Sequence, residues 1–248
     1  MKMHSSKPIF KQKRIWLAVG VVVFIAAIVG MWILAGMQLN AVNEQVDAAY
    51  SEAKVTSQSV LAGSKVSQQK RLAAVEQLAG TTTPEDCGGE WWSAWYLALP
   101  AAKKTAQQCM AKVERLRLVA QAATELKMYL DDDLKVAKTL TTLKMSTGSD
   151  TWQKTAQGSA ETVLRELENM SETKSNQELL TVSKDKTKLV IDGWVVFNEA
   201  SSKEDKAAYL DAESKLSQAY ANLGVISDVS DKQVIKLVGS VQASISKL

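Results

Sequence analysis

Cys87 and Cys109 are the only two thiols in the 248-residue sequence, and its one histidine, His4, stands in the N-terminal tail. Those few residues narrow the chemistry. Beyond the tail there is no imidazole, the commonest general base and metal ligand. Two distant thiols without histidine do not make a zinc set, and they lack the Cys-x-x-Cys spacing of a redox pair. What remains is a structural disulfide between Cys87 and Cys109, in an oxidising compartment. Bonded cysteines need Cα atoms within about 7 Å, whereas a straight helix between them would hold them about 30 Å apart. The chain must therefore fold back. Pro100, which interrupts or starts helices, predicts a short helix near 90–99, a turn, and then a long helix. Closing that loop contributes on the order of 3 kcal/mol.

The carboxylates offer less. Asp131-Asp132-Asp133 is the acidic run, but three consecutive helical residues point 100° apart and form no preformed chelate, so a solvated face is expected. No Gly-x-Ser-x-Gly elbow or phosphate loop occurs. The sequence predicts no catalytic residue, no cofactor and no metal, and the protein reads as something other than an enzyme.

Trp91, Trp92, Trp95 and Tyr96 fall within six residues. Trp91 with Trp95, and Trp92 with Tyr96, share helical faces. They are read either as a plug closing the end of a bundle or as a partner-binding surface, since Trp and Tyr concentrate binding energy at interfaces. On an arm rising from a membrane, the group would stand roughly 60 Å above it.

The elements that would carry these residues begin with an anchor. Residues 15–37 are almost wholly apolar, and no charge appears from Ile15 to Asn43. That stretch spans about 34 Å as a helix, enough for a hydrocarbon core of roughly 30 Å. Trp16 and Trp32 sit near its ends, as indoles at a headgroup boundary do. It exceeds the apolar core of a cleaved signal peptide and lacks a good small-x-small site, so an uncleaved signal anchor is expected. The preceding tail, 1–14, holds Lys2, Lys7, Lys11, Lys13 and Arg14 and no acid. Lys11, Lys13 and Arg14, next to the span, place the N-terminus in the cytoplasm and residues 38–248 outside it. Removing the five tail charges leaves 25 basic residues (30 less 5) against 27 acidic ones. The domain then carries no excess of positive charge, which argues against nucleic acid as a partner.

Scarce Pro, modest Gly and abundant Ala, Leu, Lys and Glu predict an all-α fold, an N-terminal transmembrane helix followed by an elongated antiparallel bundle. Breaker clusters at 81–89, 146–150 and 201–205 divide it into arms at about 38–79, 101–145, 150–200 and 204–247. Leu39, Val42, Val46, Ala49 and Ala53 continue a heptad seam out of the membrane. Cys109, Val113, Leu116, Ala120, Ala123, Leu130, Leu134 and Ala137 form another, interrupted at Lys127, beside a second stripe through Val119, Leu126, Ala137, Leu140 and Leu143. The third arm lines Trp152, Ala156, Val163, Leu167 and Met170 on one face. The fourth is expected to break at Leu223-Gly224, with a last short helix from Ser230 and Gln233. Residues 188–197 are β-branched around Asp192-Gly193 and carry a hairpin signal, but Val190, Trp194 and Phe197 also fit one helical face, and helix is preferred.

The expected role is an envelope structural or adaptor protein at the cell membrane. It would contact the lipid bilayer and other envelope or membrane proteins through its helical surface. The alternative is a ligand-sensing ectodomain acting through a partner, because a 14-residue tail is too short to fold.

Overall fold

In the computed structural model, residues 9–61, 68–81, 87, 100–143, 150–203 and 205–248 are described. Among them every regular element is an α-helix. These are α1 (Ile9–Leu61), α2 (Gln68–Ala79), α3 (Pro100–Leu140), α4 (Asp150–Glu168), α5 (Gln177–Ser201), α6 (Lys206–Ala221) and α7 (Gly224–Ile245). The chain divides into two compact units, one of residues 1–56, 81–118 and 248, the other of 57–80 and 119–247.

The first unit is built on two seams. Ala35, Leu39, Val46 and Ala53 of α1 are buried, as are Ala102, Ala106, Cys109, Val113 and Leu116 of α3. The α3 row steps by four and three and the α1 row by four and then seven, spacings that keep one stripe of a helix against a neighbour. Asp47 of α1 pairs with Lys112 of α3. α1 leaves the unit at Thr56 and α3 at Leu118, each shortly after that ion pair, so here the two helices run in the same direction.

In the second unit the buried stripe of α3 moves. Leu134 is 62% exposed and Ala137 is also exposed, while Leu126, Tyr129 and Val136 are buried. The expected heptad row therefore fails in its last third. A straight helix drifts about 20° per heptad from a 3.5-residue repeat, and the buried row runs on from Val119 and Leu126 through Tyr129 and Val136, leaving Ala137 of the second expected stripe exposed as well. Lys127, the interruption, reaches Glu76 of α2 at 3.6 Å.

α5 packs against α4, α6 and α7. Its core is Trp194, which meets Phe197 edge-on at 5.7 Å and Tyr220 edge-on at 6.5 Å, and donates Nε1–H to the Tyr220 hydroxyl at 3.1 Å. Ala156, Ala160, Ala212 and Ala219 close around it. Residues 188–197 are helical throughout, so the hairpin alternative is not the state of this segment. Val190, Trp194 and Phe197 are all buried on one face. An alternating strand would instead have put Asp192 beside Val190 and Trp194. Gly193 marks no turn: a Cβ there would lie 3.0 Å from Leu216 Cδ1 and 3.3 Å from Leu216 Cα. Glycine is what lets α6 come this close.

Two expected arms divide. The third is not continuous over 150–200, because α4 ends at Glu168 and α5 begins at Gln177. Between them Thr173 and Asn176 cap each other. The Asn176 N–H donates to Thr173 Oγ1 (3.3 Å) and the Thr173 N–H to Asn176 Oδ1 (2.7 Å), the reciprocal pattern that starts a helix. The fourth breaks where expected, but α7 resumes at once at Gly224. Ser230 and Gln233 lie inside it rather than at a start. Asp205 caps α6, accepting from the Ala207 and Ala208 N–H groups at 2.9 and 3.2 Å.

Candidate functional site

α1 is long and apolar enough to cross a membrane. It is already helical at Ile9, ahead of the apolar stretch, so the basic tail feeds directly into the helix. The side chains of Lys11, Lys13, Arg14 and Trp16 lie outside the described residues. Trp32 is 40% exposed. From Val21 to Met37, eleven large apolar side chains are exposed, among them Phe24 at 67% and Leu34 at 57%. Leaving a Val, Leu, Ile or Phe in water rather than burying it forgoes about 1.5–3 kcal/mol each. The total, on the order of 20 kcal/mol, exceeds the roughly 5–15 kcal/mol that holds a whole domain together. The burial pattern changes at one place: Ala35 is 2% and Leu39 7% exposed.

Cys87 and Cys109 lie at disulfide distance, with Cα atoms 5.9 Å apart. Pro100 is the first residue of α3, where its missing N–H costs nothing. The short helix expected near 90–99, with Trp91, Trp92, Trp95 and Tyr96, lies outside the described residues. The register of α3 is nevertheless informative. Counting back equally from Asp47 and Lys112 leads to Ala35 and Pro100. In that register the start of α3 is level with Ala35 of α1.

The second unit holds a polar junction that periodicity does not reveal. Asn176 is 1% exposed, and its Nδ2 donates to Asp132 at 2.7 Å and to the Ser171 carbonyl at 3.1 Å. The adjacent Ser175 carbonyl accepts from Gln233 at 3.2 Å. Asp132 is thus not part of a merely solvated face. It ties α3 to the start of α5, and Lys135 sits on its other oxygen at 3.2 Å. The one available sequence signal was Thr173-x-x-Asn176, a capping pair with Asn where Glu or Gln is usual. Among the described residues, no three His, Cys, Asp or Glu side chains converge as a metal set.

Tyr129 is fully buried, and its hydroxyl has no hydrogen-bond partner among the described residues. Burial raises its pKa, with nearby Ser230 tempering the rise and the charges of Asp133, Glu178 and Asp231 adding to it. Ser230 comes close without completing a well-formed bond. Burial likewise raises Tyr220, against the opposing bond from Trp194. Close by, Val60, Leu72, Val75, Leu126, Leu130, Val234 and Val238 line an open apolar groove of about 110 Å³. Such a surface can take up apolar groups, and its lining holds no acid, base or nucleophile.

Compared with protein-family models, curated proteins and solved structures, the chain matches none of them.

Proposed function

We propose that the protein is a membrane-anchored structural or adaptor subunit of the cell envelope. Its N-terminal tail is cytoplasmic, α1 is a single-pass anchor, and the remaining helices stand outside the cytoplasm as a surface for other membrane or envelope proteins. The observation that carries this reading is the switch along α1, from exposed apolar side chains at Val21–Leu34 to a buried seam beginning at Ala35. One uninterrupted helix supplies both. A lipid-facing segment is apolar all round, whereas a water-facing helix buries one stripe. The basic tail supports the orientation, and a disulfide suits the oxidising side. Long helices offer extended surfaces for binding rather than converging groups for chemistry.

The test is crosslinking in intact cells with identification of the captured proteins, alongside protease added from outside. The expected result is capture of specific membrane proteins, with digestion after residue 40 and sparing of a tag before Met1. Recovery of the chain alone under all crosslinkers would defeat the adaptor role, and protection of the C-terminal region would reverse the orientation. A second reading, ligand sensing through a partner, is favoured by the apolar groove at Val60, Val75 and Leu126. It requires a saturable thermal shift with an apolar small molecule.

A further inference from the structure

α5 is covered on one side only. Leu179, Leu180, Val190, Trp194 and Phe197 are buried, and α4, α6 and α7 pack against the helix. On the opposite side Leu189, Val195 and Val196 are 43%, 40% and 41% exposed. Three large apolar side chains within eight residues make a face that gains by leaving water.

The order of residues on this face decides what can cover it. Glu178, Asp185, Asp192 and Glu199 recur at every seventh position, and Val182, Leu189 and Val196 each follow an acid by four. The row therefore steps by four and three along the whole of α5, the spacing that turns one seam toward a neighbouring helix. All its members are exposed except the half-buried Val182. Such a row drifts only about 20° per heptad, so it stays on one side of α5 as a strip about 32 Å long. None of its four carboxylates forms an ion pair among the described residues. Lys188 stands at the edge of the strip, and Lys184 is already held by Glu172. A second copy presenting the same row would set carboxylate against carboxylate, and an anionic lipid surface would be repelled. A helix with aliphatic residues at the same spacing, and lysine or arginine between them, would bury the apolar members and meet the acids with opposite charge. Isolated surface ion pairs contribute little, so the aliphatic residues supply the contact and the charges select the partner and its register.

Building on the adaptor reading above, we propose that the outer face of α5 is a docking surface for one basic amphipathic helix of another protein. Leu189 and Val196, with Val195 beside them, take the partner's aliphatic residues. Asp185, Asp192 and Glu199 take its lysine or arginine side chains, one per heptad.

The probes are synthetic helical peptides of about three heptads, with lysine at every seventh position. Leucine follows each lysine by four residues in one peptide and by three in the other, so that both directions of pairing are served. A matched peptide with glutamate for lysine is the control. Labelled peptide is titrated with the full chain in uncharged detergent and read by fluorescence anisotropy. Saturable binding of a lysine peptide is expected, weakening as salt is added, with none by the glutamate peptide. Asp185→Lys, Asp192→Lys and Glu199→Lys together are expected to weaken binding by a factor of about ten or more. Leu189→Ser with Val196→Ser is expected to do the same, and neither set should lower Tm, because these side chains are exposed. No saturable binding by either lysine peptide, equal binding by the glutamate peptide, or binding unchanged by both sets of substitutions would overturn the proposal. Crosslinking in cells separates the two readings. Partners captured in cells without any peptide binding refute the α5 surface alone, whereas a chain recovered alone in cells defeats the adaptor role and the docking with it.

Discussion

Two glycines in helix interiors allow crowding to be measured apart from helix propensity. Gly158 in α4 has open space where a Cβ would be, whereas at Gly193 in α5 the added carbon meets Leu216 Cδ1 at 3.0 Å, Leu216 Cα at 3.3 Å and Ala219 Cβ at 3.7 Å. Gly→Ala gains about 0.5–1 kcal/mol in a helix interior when nothing is in the way. Gly158→Ala should realise that gain. At Gly193 the Leu216 side chain can rotate, but its Cα belongs to α6, so the two helices must part by a few tenths of an ångström. Overpacking of this kind costs about 1–3 kcal/mol, which cancels or reverses the gain. Gly193→Ala should therefore lie about 1–3 kcal/mol below Gly158→Ala, a difference of several degrees in Tm at roughly 2–4 °C per kcal/mol. Gly193→Val should fall further. Unfolding of the full chain in detergent, followed by the emission of nearby Trp194, reads all three. If Gly193→Ala stabilises as much as Gly158→Ala, the close approach of α5 and α6 is wrong, and with it the account of why Asp192-Gly193 is no hairpin turn.

Asn176→Ala should cost about 2–4 kcal/mol in chemical unfolding, because it removes the buried amide that bonds the Asp132 carboxylate and the Thr173 N–H; a loss under about 0.5 kcal/mol would mean the junction holds nothing. Peptide mapping without reductant should give one linked pair containing Cys87 and Cys109, and reduction should lower stability by on the order of 3 kcal/mol; free thiols in protein from its native compartment would remove that tie. Tyr129→Phe should be neutral or stabilising in thermal unfolding, since the hydroxyl it removes is buried unpaired. Both Tyr129 and Tyr220 have folded pKa values raised above 10.0, so each contributes stability that is complete below pH 10 and is lost as pH rises through its folded pKa. Tyr129→Phe should accordingly blunt the alkaline loss, and an unchanged pH profile would contradict the burial of that phenol.

What could be read from the residues alone was what local rules govern. The seam of Leu39, Val46 and Ala53 follows from spacing, and so does the burial of Val190, Trp194 and Phe197. The approach of Cys87 to Cys109 follows from the pairing of two thiols in an oxidising compartment. The break between α4 and α5 could not be read in this way, because no Pro or Gly marks it. It depends on Asn176 finding Asp132, a residue 44 positions earlier on another helix. The move of the α3 stripe from Leu134 to Val136 was hidden for a related reason: both rows are apolar enough in sequence, and which one is covered depends on neighbours. The groove draws its lining from four helices, α1, α2, α3 and α7, so no single stretch of sequence records it.

In the proposed membrane-anchored reading, Ala35 accounts for where the apolar stretch of α1 and its seam meet. In water, two helices associate because their stripes leave solvent, and the gain grows with apolar area. In lipid that gain is absent, since acyl chains are as apolar as leucine, and helices meet closely only where small residues let backbones approach. A helix that passes from one solvent to the other therefore needs a small side chain at the crossing and larger ones beyond it. α1 has this order, with Ala35 as the first buried position and Leu39 and Val46 after it. α3 answers in the same order, with Ala102 and Ala106 before Val113 and Leu116. The packing of the first unit begins with alanine on both helices and brings in larger residues after it, with alanine returning at Ala53. This is the sequence expected if the bilayer ends at that level, and a seam designed wholly for water would have no reason to start with its smallest members.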